Sequence, residues 1–496
     1  MSNNSGSNNR CNSNHVSRRD FLRCVAAGLA TQVLGGSTRA AVASRKRPNI
    51  VVILTDDQGY ADISFNPHHP REVSTPHMDA LAREGVFFSQ GYISGSVCSP
   101  TRAGLMLGRY QQRVGVYSAG DGGRGFDPKI PIFPSFLPKE YVSTAIGKWH
   151  LGLDEDYPEL KWHALSRGFD ECYKFMGRGA HDYYKLKGAS GTHDTGPIYR
   201  NKKRIDDEGY LTSRLTEEAC SFIDRQKDQP FFLYLAYNAV HSPKQAPQKD
   251  IKRYRKQFPD LSEGRVILMA MLHHLDLGVG AVVKKLKDEG LWDNTLLFFF
   301  TDNGGAKAME ADNTPLRGWK GSKWEGGIRT PFVVSWPARF KGDRILDTPV
   351  ISLDVLPTVL DALEVPSPTD TPFDGKSLLP VLQGKTKTLH QNLFFSNGGD
   401  NGEWAVRSGD WKLIGLRDQK ELFDLANDPS EKTNLATKHP EKVAQLARLY
   451  NVWLDEMAEP LSGKGKRWNA NGPNDREKQK RKKRTERQKA RNRNKG

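Results

Sequence analysis

Cysteine is scarce in this chain: five residues in 496, of which Cys11 and Cys24 fall within the first 43, leaving Cys98, Cys172 and Cys220. So few exclude a disulfide framework as the source of stability, although Cys172 and Cys220 leave room for one pairing that the sequence does not decide. Long apolar runs are also missing. After residue 43 no stretch of about 20 residues, the length a membrane-spanning helix needs, is apolar and free of charge, so no transmembrane segment is expected in the mature chain. Acidic excess is lacking too, with 74 Lys and Arg against 58 Asp and Glu and a formal charge of +16. That surplus sits at the two ends. Residues 464–496 carry 15 Lys and Arg against Asp475, Glu477 and Glu486, and residues 1–43 carry five Arg against Asp20, which leaves the body neutral. The body therefore shows no charge signature of a polyanion-binding fold. The tail has only Trp468 as an aromatic residue; it reads as a disordered, solvated segment or one drawn nonspecifically to polyanions, nucleic acid included.

What is present begins with an export signal. Ser17-Arg18-Arg19-Asp20-Phe21-Leu22-Arg23 precedes a weakly apolar run from Val25 to Gly36 and then Ala41-Val42-Ala43. Charged segment, apolar segment and small-residue cleavage site follow in that order, with paired arginines of the twin-arginine type. Residues 1–43 are read as a signal peptide, which predicts a periplasmic or secreted protein. Because the twin-arginine route carries folded proteins, a metal or a modification would be installed before export.

With 37% hydrophobic residues the rest is long enough to bury a large core. Ile50–Leu54, Phe231–Ala236 and Leu296–Phe300 are continuous apolar runs, each read as a buried strand that ends in polar residues: Asp56-Asp57, Asn238 to His241, and Asp302-Asn303-Gly304-Gly305. Thr75-Pro76 opens a helix closed by Gly85, and Glu263 to Glu289 is a long helix with apolar residues at three-to-four spacing. Strands alternating with helices predict an α/β fold with a doubly wound, mostly parallel sheet, whose chemistry lies at the carboxyl ends of the strands. After about residue 375 short strands at Phe394–Ser396, Trp404–Arg407 and Trp411–Leu416, then a helix from Pro440 to about Met457, predict a small antiparallel sheet with one helix. The expected division is a catalytic domain at 44–375, a small subdomain at 376–463 and the tail.

Several residue groups carry chemistry. Cys98-Ser99-Pro100-Thr101-Arg102 precedes an apolar helical stretch, which puts Cys98 at a helix N-terminus, where the dipole lowers a thiol's pKa. Asp56, Asp57, Asp302 and Asn303 offer hard oxygen ligands from two strand ends, a set suited to Ca²⁺ or Mg²⁺ rather than zinc. Arg102, Lys148 and Lys320 are cations able to neutralise an anionic substrate, and His150 and His241 titrate near neutrality.

The pattern Cys-x-Pro-x-Arg at 98–102 resembles the signature of the type I sulfatases, members of the alkaline phosphatase superfamily. The resemblance runs in order over nearly all of residues 47–460, through Asp56-Asp57, Gly147-Lys148-Trp149-His150-Leu151-Gly152, Gly168-Phe169-Asp170, His241, Asp302-Asn303-Gly304-Gly305 and Lys320 to Arg329. Phe231–Pro243 and Leu316–Gly327 look most similar to arylsulfatase B, an N-acetylgalactosamine-4-sulfatase. Leu107 departs from the family's usual threonine, and Gly177 to Asp182 aligns only loosely.

The resemblance implies an alkaline-phosphatase-like fold and hydrolysis of sulfate esters of a carbohydrate. Cys98 would be oxidised to formylglycine by a formylglycine-generating or anaerobic maturase, and Ca²⁺, favoured over Mg²⁺, would be held by Asp56, Asp57, Asp302, Asn303 and position 98. In the implied mechanism one hydroxyl of the aldehyde hydrate attacks sulfur while Lys148 and Lys320 offset charge. His241 and Lys320 protonate the leaving alcohol, and His150 takes the second hydroxyl's proton to expel sulfate, with Arg102 holding the diol. His181, Asp182 and Trp324 are the expected sugar-binding residues. Two other readings stay open: a phosphonate or phosphodiester hydrolase of the same superfamily, and a catalytically silent protein that binds sulfated glycans.

Overall fold

The computed structural model describes residues 47–152, 159–175, 179–186, 197–397, 402–417 and 419–462. The expected signal peptide and basic tail lie outside these residues.

Strand Asn49–Thr55 stands at the centre of a ten-stranded sheet. It pairs in parallel with Thr295–Thr301 on one side and with Phe231–Ala236 on the other, and the parallel run continues through Val142–Lys148 to Glu171–Phe175. Beyond these five strands the pairing turns antiparallel, through Phe332–Ser335 and Val86–Phe88 at one flank, where Arg344–Leu346 then adds in parallel at the edge, and through Ile198–Arg200 and Lys203–Ile205 at the other. The sheet is thus parallel where the apolar runs lie and mixed at its margins.

The three apolar strands are buried along their whole length because both faces of the sheet are covered. Val51, Ile53, Leu233, Leu235, Leu297 and Phe299 join one core with residues of helices Pro76–Glu84, Leu211–Gln226 and Glu263–Asp288. Ile50, Val52, Leu54, Phe232, Phe298 and Phe300 join the opposite core with helices Cys98–Leu107 and Val355–Ala362. Burying each such side chain contributes about 1.5–3 kcal/mol. Among the described helices, Glu263–Asp288 alone has the length and composition to cross a membrane, but two-thirds of its apolar window is inside the protein, as a core helix requires.

Strand Val142–Lys148 escapes the reading by apolar runs because Ser143, Thr144 and Gly147 interrupt it. Its polar groups are paired instead: Ser143 N–H and Oγ donate to Asp170 Oδ2 at 2.8 and 2.7 Å.

The C-terminal sheet has four antiparallel strands, Asn392–Ser396, Trp404–Ser408, Trp411–Leu416 and Gln419–Asp424. The fourth is mostly polar, so only its hydrogen-bonded register with the third defines it. Helix Pro440–Asp455 packs on this sheet, with Tyr450 stacked on Trp404 at 4.3 Å between ring centroids. Tyr92, Tyr117, Ile328 and Leu353 share that core, which ties the small sheet to the large domain. A buried ion network reinforces the tie: Lys412 Nζ donates to Glu325 Oε1 at 2.7 Å and lies 2.8 Å from Glu431 Oε1. The Cys98, Cys172 and Cys220 thiols are all unpaired.

Candidate active site

Asp56 and Asp57 follow one another at the end of the central strand, where an extended backbone would send them to opposite faces. Asp57 instead has φ 60°, a left-handed conformation that costs a non-glycine residue about 1–3 kcal/mol. The turn brings both carboxylates to one place: Asp56, Asp57 and His241 offer ligand atoms that lie within 4.8 Å of one another. His150 also has a positive φ, 55°, two residues after Lys148 at the end of its strand.

Each cation picked out in the sequence faces one of these carboxylates or its neighbour. Lys148 Nζ donates to Asp56 Oδ2, and Lys320 Nζ donates to Asp57 Oδ1 at 2.6 Å. Arg102 lies one turn into the helix that Cys98 begins, and the guanidinium is wholly buried. Its Nε donates to Asp302 Oδ2 at 2.9 Å and its Nη1 to the Lys148 carbonyl at 2.8 Å. His241 Nε2 sits 3.6 Å from Asp57 Oδ2, while Asn303 Nδ2 donates to Asp57 Oδ1 at 2.7 Å. The structure therefore gathers Asp56, Asp57, Cys98, Arg102, Lys148, His150, His241, Asp302, Asn303 and Lys320 at the carboxyl ends of the parallel strands.

The electrostatics follow from crowding. Burial pushes the Cys98 thiol up, but Lys148 and Lys320 outweigh it and bring its pKa below the ordinary thiol value. Against the same effect of burial, Lys148 and the neighbouring cations hold Asp56 well below the usual carboxylate range. Asp302 goes the other way, raised by burial and by the charge of Asp56 despite Arg102. For His150, burial and then Lys148 and Arg102 drive the pKa well below 6.5, so the ring is neutral.

The donor set also tests for a cation. Asp56 Oδ1, Asp302 Oδ1 and Asn303 Oδ1 are buried acceptors with no hydrogen-bond donor among the described residues. Such groups cost about 1–3 kcal/mol each when left unpaired. Unpaired hard oxygens at two neighbouring strand ends, beside the Asp56–Asp57 cluster, suit a divalent cation of the Ca²⁺ or Mg²⁺ type.

The three expected sugar-binding residues are placed differently. The His181 carbonyl accepts from Asn238 Nδ2 at 3.0 Å, and the neighbouring Tyr183 Oη donates to the His241 carbonyl at 2.9 Å, so this segment braces the turn that carries His241. The Asp182 carboxylate accepts from the backbone N–H groups of Tyr184 and Lys185 and from Gln245 Nε2 at 2.8–3.0 Å. Trp324 is half-buried; its Nε1 donates to Glu421 Oε2 at 2.7 Å and the Arg317 guanidinium lies 4.3 Å above its ring. Sequence reasoning misses Ser96, Lys323 and Asn313. Ser96 Oγ accepts from the buried Lys323 Nζ at 2.7 Å and from Asn397 Nδ2 at 2.8 Å, which holds the approach to Cys98 against the segment after Lys320. Lys323 lies within the Lys320 to Arg329 block without a role of its own there, Ser96 carries no pattern, and Asn313 before Thr-Pro reads only as a turn former.

A family model described as sulfatase matches residues 48–365, and one described as N-sulphoglucosamine sulphohydrolase, C-terminal, matches residues 318–457. The chain is 32% identical to an uncharacterized sulfatase of Escherichia coli, over 84% of this chain and 87% of that protein. It is 29% identical to an N-acetylgalactosamine-6-O-sulfatase of Bacteroides thetaiotaomicron, over 82% and 92%. Among solved structures it is similar to Ps i-CgsB in complex with k-i-k-neocarrahexaose, with TM-score 0.78 and 32% identity over 84% of this chain and 94% of that one. The likeness to arylsulfatase B stands at the level of the family.

Proposed function

The chain belongs to the sulfatase family and is a sulfuric ester hydrolase, and from that premise we propose that it removes sulfate from a carbohydrate with formylglycine at position 98 and a bound Ca²⁺. The observation that carries the reading is the convergence of Cys98, three cations and three unpaired buried oxygens at one end of the sheet. Relatives and neighbours named for N-acetylgalactosamine-6-O-sulfatase activity or bound to a carrageenan-type oligosaccharide support a sugar sulfate.

Asp56, Asp57, Asp302 and Asn303 would hold the cation, which when bound supplies positive charge against the sulfate oxygens; several carboxylates in one shell favour Ca²⁺ over Mg²⁺. The modified residue 98 would supply a paired hydroxyl as nucleophile. Lys148 Nζ and Lys320 Nζ stand beside Asp56 and Asp57, where they would offset the negative charge that accumulates as sulfur is attacked. His241 Nδ1 donates to the Ser242 carbonyl at 3.0 Å, which leaves Nε2, 3.6 Å from Asp57 Oδ2, as the ring nitrogen that would pass a proton to a departing alcohol. His150 is neutral, with Nδ1 unpaired among the described residues, which equips it to accept a proton from the group at position 98. Arg102 clamps Asp302 and so fixes the helix start against the strand end.

In this reading His181, Asp182 and Trp324 are the candidate sugar contacts, and the segment of His181 and Asp182 also braces the turn that carries His241. Export by the twin-arginine route, maturation by a formylglycine-forming enzyme and polyanion binding by residues 464–496 belong to the same proposal and rest on the sequence. The test is desulfation of a panel of defined sulfated saccharides by purified enzyme, with nitrophenyl sulfate and a nitrophenyl phosphodiester run in parallel. Release of sulfate from one class of saccharide is expected. Preference for the phosphodiester would favour the phosphoryl-transfer reading, and binding without turnover by aldehyde-bearing protein would favour a silent glycan binder.

A further inference from the structure

Asn313 uses its whole side-chain amide to tie together the three loops that carry the site. Its Oδ1 accepts from Tyr60 N–H at 3.2 Å and from Gly305 N–H at 2.9 Å, and its Nδ2 donates to the Gly305 carbonyl at 3.1 Å and the Gly318 carbonyl at 3.2 Å. An amide has two donors and two acceptor sites, and here all four are taken. Tyr60 lies three residues after Asp57, Gly305 two after Asn303, and Gly318 two before Lys320, so one buried side chain spans the Asp57, Asp302–Asn303 and Lys320 loops. The Gly305 carbonyl also accepts from Lys320 N–H at 3.1 Å.

The loops are in contact where Asn313 joins them. A Cβ on Gly305 would come within 2.7 Å of Gly59 Cα, and one on Gly59 within 2.1 Å of the Asp312 carbonyl oxygen, so both positions need glycine for close backbone approach. The Asp312 carbonyl accepts from Ala61 N–H at 2.9 Å, and Asp312 N–H donates to Asp62 Oδ2 at 3.0 Å. Asp312 fixes the Gly59–Asp62 turn on one side, and the Asn313 amide alone among these contacts reaches all three loops at once.

We propose that Asn313 is a positioning residue that sets the spacing between Asp57, the Asp302–Asn303 pair and Lys320, and hence the affinity of the site for its cation. This rests on the reading of those carboxylates as a Ca²⁺ site. Asn313→Asp keeps shape and acceptors but turns two attractive contacts with the Gly305 and Gly318 carbonyls into oxygen-to-oxygen repulsion. Asp276→Ala serves as a structural control: Asp276 is buried and caps helix Pro76–Glu84 through His77 and Met78 N–H at 3.1 and 2.8 Å, and makes no hydrogen bond to a site residue.

The experiment titrates free Ca²⁺ against thermal unfolding of full-length parent, Asn313→Asp and Asp276→Ala, and measures kcat and KM for nitrophenyl sulfate. Outer-shell partners of metal ligands typically contribute 10–100-fold to affinity, so the Ca²⁺ midpoint of Asn313→Asp should rise about tenfold or more. Its kcat should fall, while Asp276→Ala loses stability and keeps the parent's Ca²⁺ midpoint. A folded Asn313→Asp whose midpoint stays within about twofold of the parent's overturns the proposal. Should that variant not fold, Asn313→Ser replaces it, with the same direction expected and the same result overturning it. A parent whose stability ignores Ca²⁺ overturns the cation site itself, separately from Asn313.

Discussion

Arg102 Nε donates to Asp302 Oδ2 at 2.9 Å across 200 residues of sequence, with both side chains fully enclosed. The contact joins the helix that Cys98 begins to the end of strand Thr295–Thr301, so Cys98 and Asp302, the proposed nucleophile and a proposed cation ligand, are held in one frame. Asp56 Oδ2 lies 3.6 Å from the same guanidinium, which therefore stands between two buried carboxylates. Removing one member of such a cluster leaves uncompensated charge in a medium that solvates it poorly.

Arg102→Met should accordingly lower the unfolding free energy by about 3–5 kcal/mol, read from urea denaturation, and added Ca²⁺ should return part of the loss by screening the two carboxylates. A loss below about 1 kcal/mol would mean that the carboxylates protonate instead at no appreciable cost. Chelation of Ca²⁺ from the parent enzyme should abolish turnover of nitrophenyl sulfate. Undiminished activity in protein shown to be metal-free would remove the cation from the reaction.

Cys98 should be found as an aldehyde by mass spectrometry of the peptide that contains it, when the chain is made alongside a working maturase. Cys98→Ser left unmodified has a single hydroxyl: it can be sulfated but has no second hydroxyl with which to expel the sulfate. Intact-mass measurement should show a trapped sulfate and at most one turnover per enzyme. Sustained turnover comparable with that of the parent would refute the geminal-diol chemistry.

His241→Ala removes the proposed proton source for the leaving alcohol. Its kcat/KM on a sugar sulfate should drop by about 10²–10⁴, with a smaller drop on nitrophenyl sulfate, whose leaving group needs little help. Equal losses on the two substrates would assign His241 to binding rather than to protonation.

Stability should fall on the acid side of neutrality. His163 is fully buried, its Nδ1 accepts from Leu165 N–H at 3.3 Å, and burial followed by the nearby Lys174 charge brings its pKa down to about 3. Between about pH 6.5 and pH 3 only the unfolded chain binds this proton. The contribution is therefore whole above pH 6.5 and is lost as pH falls, by up to about 1.4 kcal/mol per pH unit. Urea unfolding at pH 7.5 and pH 5 should show that His163→Asn flattens this dependence. An unchanged slope would place the acid sensitivity elsewhere, in His150, whose pKa burial also holds well below 6.5.

Much of this protein was decided by local sequence. Ile50–Leu54, Phe231–Ala236 and Leu296–Phe300 are apolar at every position because strands covered on both faces have no solvent side, and that pattern is visible without coordinates. Cys98-Ser99-Pro100-Thr101-Arg102 and the Asp56-Asp57 and Asp302-Asn303 pairs were legible because their chemistry depends on residue type next to a strand or helix end. Tertiary structure decided what depends on long-range pairing. Strand Gln419–Asp424 exists through its register with Trp411–Leu416 and not through a periodic apolar face. Asp182 reads in the sequence as a sugar-binding candidate, and only the fold shows that its carboxylate also accepts from Tyr184, Lys185 and Gln245. Asn313 was invisible in a turn-forming context, since its role lies in four hydrogen bonds to loops that only the folded sheet brings together. A side chain's type is written locally, whereas the partners that satisfy a buried polar group are set by the packing of segments hundreds of residues apart.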